Sequence, residues 1–332
     1  MNIIVQKFGG TSVSTEDRRK QVAIKVKEAI ENGFKPIVVV SAMGRKGQPY
    51  ATDTLLTLID DKFKEANRNS KDLLMCCGEI ISSVVVANAL YNEGIEAVPL
   101  TGGQAGIITD DNFCEAEYIS IDIDRLLSVV REGKVPVVTG FQGITKDGYF
   151  TTLGRGGSDT TACILGNAVK AKEIEIYTDV DGIMTADPRI VEDASLIDEI
   201  TYNEVFQLAD QGAKVIHPKA VDLAKKGNIP LFIKNTLSES KGTLISNDIM
   251  CNERRYITGI TYLNNRIQVR IRLSENSNIK AYQSLLSILA KNHISLDLIN
   301  IFPAHQFFTV DKSEKENVSS ILDLVGIKYS II

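Results

Sequence analysis

Up to about residue 235, short apolar runs alternate with longer stretches in which apolar residues recur every three or four positions. The runs at 3–8, 36–41, 97–100, 135–140, 174–178 and 230–234 predict strands. The stretches 15–32, 71–93, 121–132, 159–171 and 215–226 predict helices. Asn32-Gly33, Glu93-Gly94, Glu132-Gly133 and Lys226-Gly227 are stop signals ahead of four of the strands. Strand and helix in this alternation predict an α/β fold with a mostly parallel sheet covered by helices. Ligands of such sheets bind at the carboxyl ends of the strands, where Ser41 and Thr178-Asp179 would stand.

A second, smaller pattern follows a polar loop at 238–243 and a linker at 247–255. Residues 266–273 alternate like a half-buried strand, 279–292 are amphipathic, and 295–301 and 306–311 are strand-like. A helical stretch at 318–325 and a terminal strand at 327–332 complete the order βαββαβ, which describes a small ferredoxin-like sandwich.

A length of 332 residues suits two domains, and 44% hydrophobic with 24% charged residues fits an ordinary globular protein. The net charge of −5 and the lack of a basic segment argue against nucleic-acid binding. No stretch of about 18 apolar residues is evident, and the N-terminus lacks the features of a signal peptide, so neither a membrane span nor export is expected. Five cysteines, two of them adjacent and none in C-x-x-C spacing, predict reduced thiols in the cytoplasm. The three scattered histidines argue against a metal cage, so no protein metal site is expected.

The candidate chemistry lies in two glycine-rich segments. Lys7-Phe8-Gly9-Gly10-Thr11-Ser12 closes the first apolar run, and Gly154-Arg155-Gly156-Gly157-Ser158-Asp159-Thr160-Thr161 opens an apolar helix. Glycine lets backbone N–H groups approach an anion closely, and a helix start favours one. A G-G pair alone reads more readily as a turn, but glycine is costly in a helix, which makes the second segment the stronger signal. Each segment adds one cation and hydroxyls, an arrangement suited to a nucleotide and an acidic acceptor held side by side. Neither has P-loop spacing, and G-x-G-x-x-G is absent.

With these segments in view, the chain resembles the aspartate kinases of the amino-acid kinase superfamily. The resemblance rests on Val5-Gln6-Lys7-Phe8-Gly9-Gly10-Thr11-Ser12-Val13, Val40-Ser41-Ala42-Met43-Gly44, Cys77-Gly78-Glu79 and Gly140-Phe141-Gln142-Gly143. It continues through 154–161, Tyr177-Thr178-Asp179-Val180-Asp181-Gly182, Thr185-Ala186-Asp187-Pro188-Arg189 and Gly212-Ala213-Lys214-Val215-Ile216-His217-Pro218. The insertion at 45–53 is similar to that of the diaminopimelate-sensitive type. The resemblance implies a three-layer αβα catalytic domain over 1–245 and phosphorylation of the β-carboxylate of L-aspartate by ATP with Mg²⁺. The reaction opens lysine, threonine, methionine and diaminopimelate biosynthesis.

It also implies roles. Lys7 and Asp159 would be catalytic, with Phe8, Gly9, Gly10 and Ser41 beside Lys7 at the phosphates. Thr178, Asp179, Met184, Asp187, Arg189 and Lys214 would complete the nucleotide site. Thr52, Glu79, Arg155, Gly156, Gly157 and Ser158 would hold aspartate, with Glu79 on its amino group and Arg155 forked onto a carboxylate. Read alone, Glu79 also suits an exposed helix face and Asp159 a helix first turn. Glu117 stands where the family has a basic residue.

Residues 256–332 resemble one ACT domain, a regulatory fold of which aspartokinases carry two. Asn276, Asn278, Ile279 and Asp297 would face an amino-acid effector (lysine, threonine or diaminopimelate), and the domain would pair two chains into a homodimer. The stretch 256–262 resembles a strand of the second such unit and would leave an apolar edge. The alternatives are another amino-acid kinase of the same fold, or a non-catalytic ACT-bearing subunit.

Overall fold

All six apolar runs of the first 235 residues form strands in the computed structural model, which describes residues 1–212, 215–247, 257–272, 279–292 and 294–332. The chain divides into two units, Met1–Thr261 and Tyr262–Ile332. The first begins with β1 (Ile3–Phe8), α1 (Glu16–Glu31), β2 (Lys35–Val40), α2 (Thr52–Leu55), α3 (Asp61–Ala66) and α4 (Arg68–Asn92). It continues with β3 (Ala97–Leu100), β4 (Ile107–Thr109), β5 (Tyr118–Ile121), α5 (Asp124–Arg131), β6 (Val135–Thr139), β7 (Gln142–Ile144) and β8 (Phe150–Thr152). Then follow α6 (Gly157–Val169), β9 (Glu173–Thr178), β10 (Glu199–Thr201), α7 (Tyr202–Asp210), α8 (Pro218–Gly227), β11 (Leu231–Asn235) and β12 (Thr243–Ser246).

Eight of these strands form one sheet in the order β10-β12-β11-β9-β1-β2-β6-β3, parallel except where β11 meets β12. Successive side chains of a strand face opposite sides, and β2 shows the consequence. Ile37 and Val39 join a core with Ala162, Ile164 and Leu165 of α6, while Val38 and Val40 join another with Val22 and Val26 of α1 and Leu90 of α4. Helices therefore cover both faces, which is the three-layer arrangement expected. The register aligns Phe8 with Val40 on one side and with Tyr177 on the other. Gly9, Ser41 and Thr178 consequently emerge at one sheet edge.

A second sheet, β5-β4-β7-β8, has no counterpart in the sequence reading, because its strands are only three or four residues long. One of them takes Ile121, so α5 begins at Asp124 rather than at 121. Helix α8 begins at Pro218 instead of 215, since proline suits the first helical position and His217 caps it through Nδ1. The expected absence of a long apolar stretch needs correcting: by length and composition α4 could cross a bilayer. Half of its apolar window is buried within the unit, however, and its buried face carries Asp72 and Glu79, as befits a core helix.

The second unit holds β13 (Arg266–Arg272), α9 (Ile279–Lys291), β14 (Leu298–Ile301), β15 (His305–Asp311), α10 (Lys315–Leu324) and β16 (Tyr329–Ile331). This is the expected βαββαβ order, closed into an antiparallel sheet β14-β15-β13-β16. Val269, Ile271, Phe308 and Val310 pack against Leu285 and Leu289 of α9 and Leu322 of α10. The strand expected over 256–262 does not form across its described residues. Ile260 N–H donates to the Thr185 carbonyl (2.8 Å) and the Thr258 hydroxyl to Glu204 (2.5 Å), so irregular chain is tied to the first unit. Among the described residues, Cys76 and Cys163 are buried, Cys77 and Cys114 half-buried, and all four are free thiols.

Candidate active site

Both glycine segments reach one cavity of about 320 Å³, lined by Lys7, Ser41, Thr52, Glu79, Phe141, Gly156, Gly157, Ser158 and Asp159. Lys7 is the penultimate residue of β1, and its Nζ lies 2.7 Å from Asp159 Oδ1. Both side chains are nearly buried, 11% and 13% exposed, so water screens this ion pair little. Asp159 sits in the first turn of α6 but does not cap it; the residue at that place is Gly156, in the left-handed conformation at φ +71°. A Cβ on Gly156 would lie 2.3 Å from the His217 Cβ, so only glycine fits there. Burial lowers the His217 pKa, which keeps the ring neutral beside the cavity.

The first glycine pair is equally specific. Gly9 N–H donates to the Tyr177 carbonyl (3.2 Å), tying the turn to β9. A Cβ on Gly10 would lie 2.4 Å from the Ala42 carbonyl oxygen and 2.9 Å from that of Gly44. Glycine at this place lets the loop after β2 close on the loop after β1, sealed by Gly44 N–H donating to Gly10 O (2.9 Å). Among the described residues, the N–H groups of Gly10, Thr11, Ser158 and Asp159 have no protein acceptor. Two sets of backbone donors thus flank one lysine, which suits an anion that changes hands between two ligands.

Glu79 lies in α4 and is only 3% exposed. Its Oε1 accepts from Ala42 N–H (3.0 Å), and Oε2 has no partner. Burial pushes its pKa up to about 8, opposed by the Ala42 hydrogen bond. A buried carboxylate with one unsatisfied oxygen facing a cavity is a site for a cationic group. Asp72, one helical stretch earlier, is fully buried and accepts from Cys114 N–H (2.9 Å), Thr152 N–H (2.9 Å) and the Thr152 hydroxyl (2.7 Å). It fastens α4 to the chain that leads into Gly154.

Eight of the expected residues line the cavity; the others fall elsewhere. Arg155 is exposed and has no ion-pair partner among the described residues. Phe8 is buried and stacked on Tyr177 at 4.7 Å, so its side chain serves the core. Thr178 and Asp179 follow at the end of β9, where the Thr178 hydroxyl donates to Asp179 (3.2 Å). Asp187 accepts a fork from Arg189 at 2.9 and 2.6 Å, and Met184 is bridged to Leu196. Lys214, Asn276 and Asn278 lie outside the described residues, and Ile279 begins α9. Asp297 is engaged by Arg266 at 3.0 Å. Glu117 is exposed and outside the cavity lining, its backbone paired with Asp110. Phe141 and His217 join the site without having been singled out. Phe141 adopts φ +69° with its N–H on the Thr161 hydroxyl (3.0 Å), a strained conformation that its motif did not disclose.

Comparison with known proteins agrees with this geometry. The profile described as the amino acid kinase family matches residues 2–235. Aspartokinase 1 of Bacillus subtilis is 44% identical over 98% of this chain and 82% of its own length. The aspartokinase of Geobacillus stearothermophilus is 39% identical over 90% of this chain and 72% of its own. Among solved structures, E. coli aspartokinase III in complex with lysine and aspartate superposes with a TM-score of 0.77 at 26% identity, covering 100% of this chain and 85% of that one. A cavity joining two glycine nests, a lysine and a buried glutamate, together with these matches, leads to one conclusion: this chain belongs to the amino acid kinase family and, within it, to the aspartokinases.

Proposed function

We propose that this aspartokinase, an ATP-dependent aspartate kinase, carries out the transfer in the cavity between its two glycine nests, with Lys7 at the migrating phosphoryl group. The observation that carries this reading is the Lys7–Asp159 pair at 2.7 Å, inside a cavity lined by both nests. Solved complexes of E. coli aspartokinase III with aspartate and ADP support the choice of ligands. ATP lies with its phosphates on Gly9, Gly10 and Ser41 and its nucleoside toward Thr178, Asp179, Met184, Asp187, Arg189 and Lys214. Aspartate lies on Thr52 and Gly156 to Ser158, its ammonium on the unpartnered oxygen of Glu79 and a carboxylate on Arg155. Arg155 is exposed and unpaired among the described residues, which leaves its guanidinium available for that fork.

The β-carboxylate is ionised at neutral pH, so no general base is required. One of its oxygens bonds to the γ-phosphorus as the bond to the ADP oxygen breaks. Lys7 and the free backbone N–H groups of both nests meet the charge on the phosphoryl oxygens, the main task in phosphoryl transfer. Asp159 holds Lys7 in place. Mg²⁺ would supply further neutralisation while bound chiefly to phosphate oxygens. Such an ion would need few protein ligands of its own.

Catalysis belongs to residues 1–245 and regulation to the C-terminal region, 256–332, through an amino-acid effector such as lysine, threonine or diaminopimelate. The lysine complex of the E. coli relative supports an effector of this class. The same region pairs two chains into a homodimer, and the enzyme works in the cytoplasm. Lys7→Ala should lower aspartate-dependent ADP release by at least about a hundredfold, the size of a lost transition-state contact. A variant that keeps parental turnover would overturn the role given to Lys7.

A further inference from the structure

We infer that Arg45 is a ligand of the ATP polyphosphate, parked on Asp179 and transferred to the phosphates when the nucleotide enters. The inference rests on the nucleotide site proposed above and adds a residue to it. Arg45 follows β2 and Asp179 follows β9, and β1 lies between these strands in the sheet. Their ion pair, Arg45 Nη2 to Asp179 Oδ2 at 2.5 Å, therefore crosses the end of β1, where Gly9 and Gly10 begin. The backbone that carries Arg45 is anchored. Gly44 N–H is bonded to Gly10 O (2.9 Å), and Arg45 N–H is bonded to Gln48 Oε1 (2.7 Å). Gln48 N–H in turn bonds back to the Arg45 carbonyl (2.9 Å).

The charges around the nest favour this role. Lys7 is engaged by Asp159 within the cavity, and Arg18 donates through Nη1 to the Thr11 carbonyl of the nest (2.8 Å). Arg45 and Asp179 are 71% and 42% exposed, and a pair so open to water contributes little to stability. Exchanging one exposed carboxylate for a polyphosphate thus costs little, and the planar guanidinium matches two phosphate oxygens at once.

Calorimetric titration of the full chain with ATP and with AMP tests this, using the parent, Arg45→Met and Arg45→Lys. Arg45→Met should weaken ATP by about tenfold, as for one charge-assisted contact, and AMP by less than about twofold. Arg45→Lys should fall between, and KM for aspartate should stay at the parental value in both. Unchanged or tighter ATP binding in Arg45→Met, or an equal loss for AMP, would overturn the role of Arg45 and leave the nucleotide site standing. A parent that binds no ATP would overturn both.

Discussion

A single buried carboxylate, Glu79, would tie the pH behaviour of this enzyme to its substrate in the proposed site. Its pKa is pushed up to about 8 by burial, while the unfolded chain titrates near the ordinary glutamate value of about 4.3. Between those values the folded protein holds a proton that the unfolded chain has lost, so this residue makes stability fall as pH rises through the window. Glu79→Gln should remove that slope and be relatively more stable above about pH 8, as read by urea denaturation across pH. Substrate binding should run the other way, because the proposed contact with the aspartate ammonium needs the ionised form. In the parent, KM for aspartate should rise as pH falls below about 8; in Glu79→Gln it should be high throughout and lose that dependence. A parental KM that is flat from pH 6 to about 9 would remove Glu79 from the ammonium site.

At the scale of elements, the site is made by loops that close because particular positions are glycine. Gly9 and Gly10 look alike in sequence but differ in space. A Cβ on Gly9 would make ordinary contacts at 3.6 Å, whereas one on Gly10 would lie 2.4 Å from a carbonyl oxygen. Gly10→Ala should therefore cost about 1–3 kcal/mol and most of the activity, while Gly9→Ala keeps the parental unfolding midpoint. Equal midpoints for the two variants would contradict the close packing of the two loops. Asp72→Ala should cost roughly 3 kcal/mol, since three donors, two of them buried, lose their acceptor together. Six of the eight strands of the main sheet were legible as apolar runs set between helix stops, whereas β10 and β12 were not, and the βαββαβ order of the second unit was legible from its periodicity. The short strands β4, β5, β7 and β8 left no such trace. Within the site, Lys7, Glu79 and Asp159 could be read from their motifs. The left-handed Phe141 and the packing of His217 on Gly156 could not, because they depend on a backbone angle and a contact between distant segments.

At the scale of the whole molecule, the chain pairs an amino acid kinase unit with a small antiparallel one that leaves apolar residues open. Leu298, Ile299 and Ile301 of the edge strand β14 are 50%, 44% and 64% exposed, an unusual load for a sheet edge. The proposed homodimer would cover that edge, so Ile299→Lys should shift the sedimentation profile from dimer to monomer. A parent that sediments as a monomer at all concentrations would contradict the pairing. The central claim, however, is the chemistry of the cavity, and it is tested most directly by steady-state ADP release from ATP and Mg²⁺ with aspartate and glutamate side by side. Turnover should saturate with aspartate, and kcat/KM for glutamate should be lower by at least about a hundredfold if the cavity grips both ends of the shorter amino acid as proposed. ADP release that ignores aspartate, or that serves glutamate equally well, would contradict it.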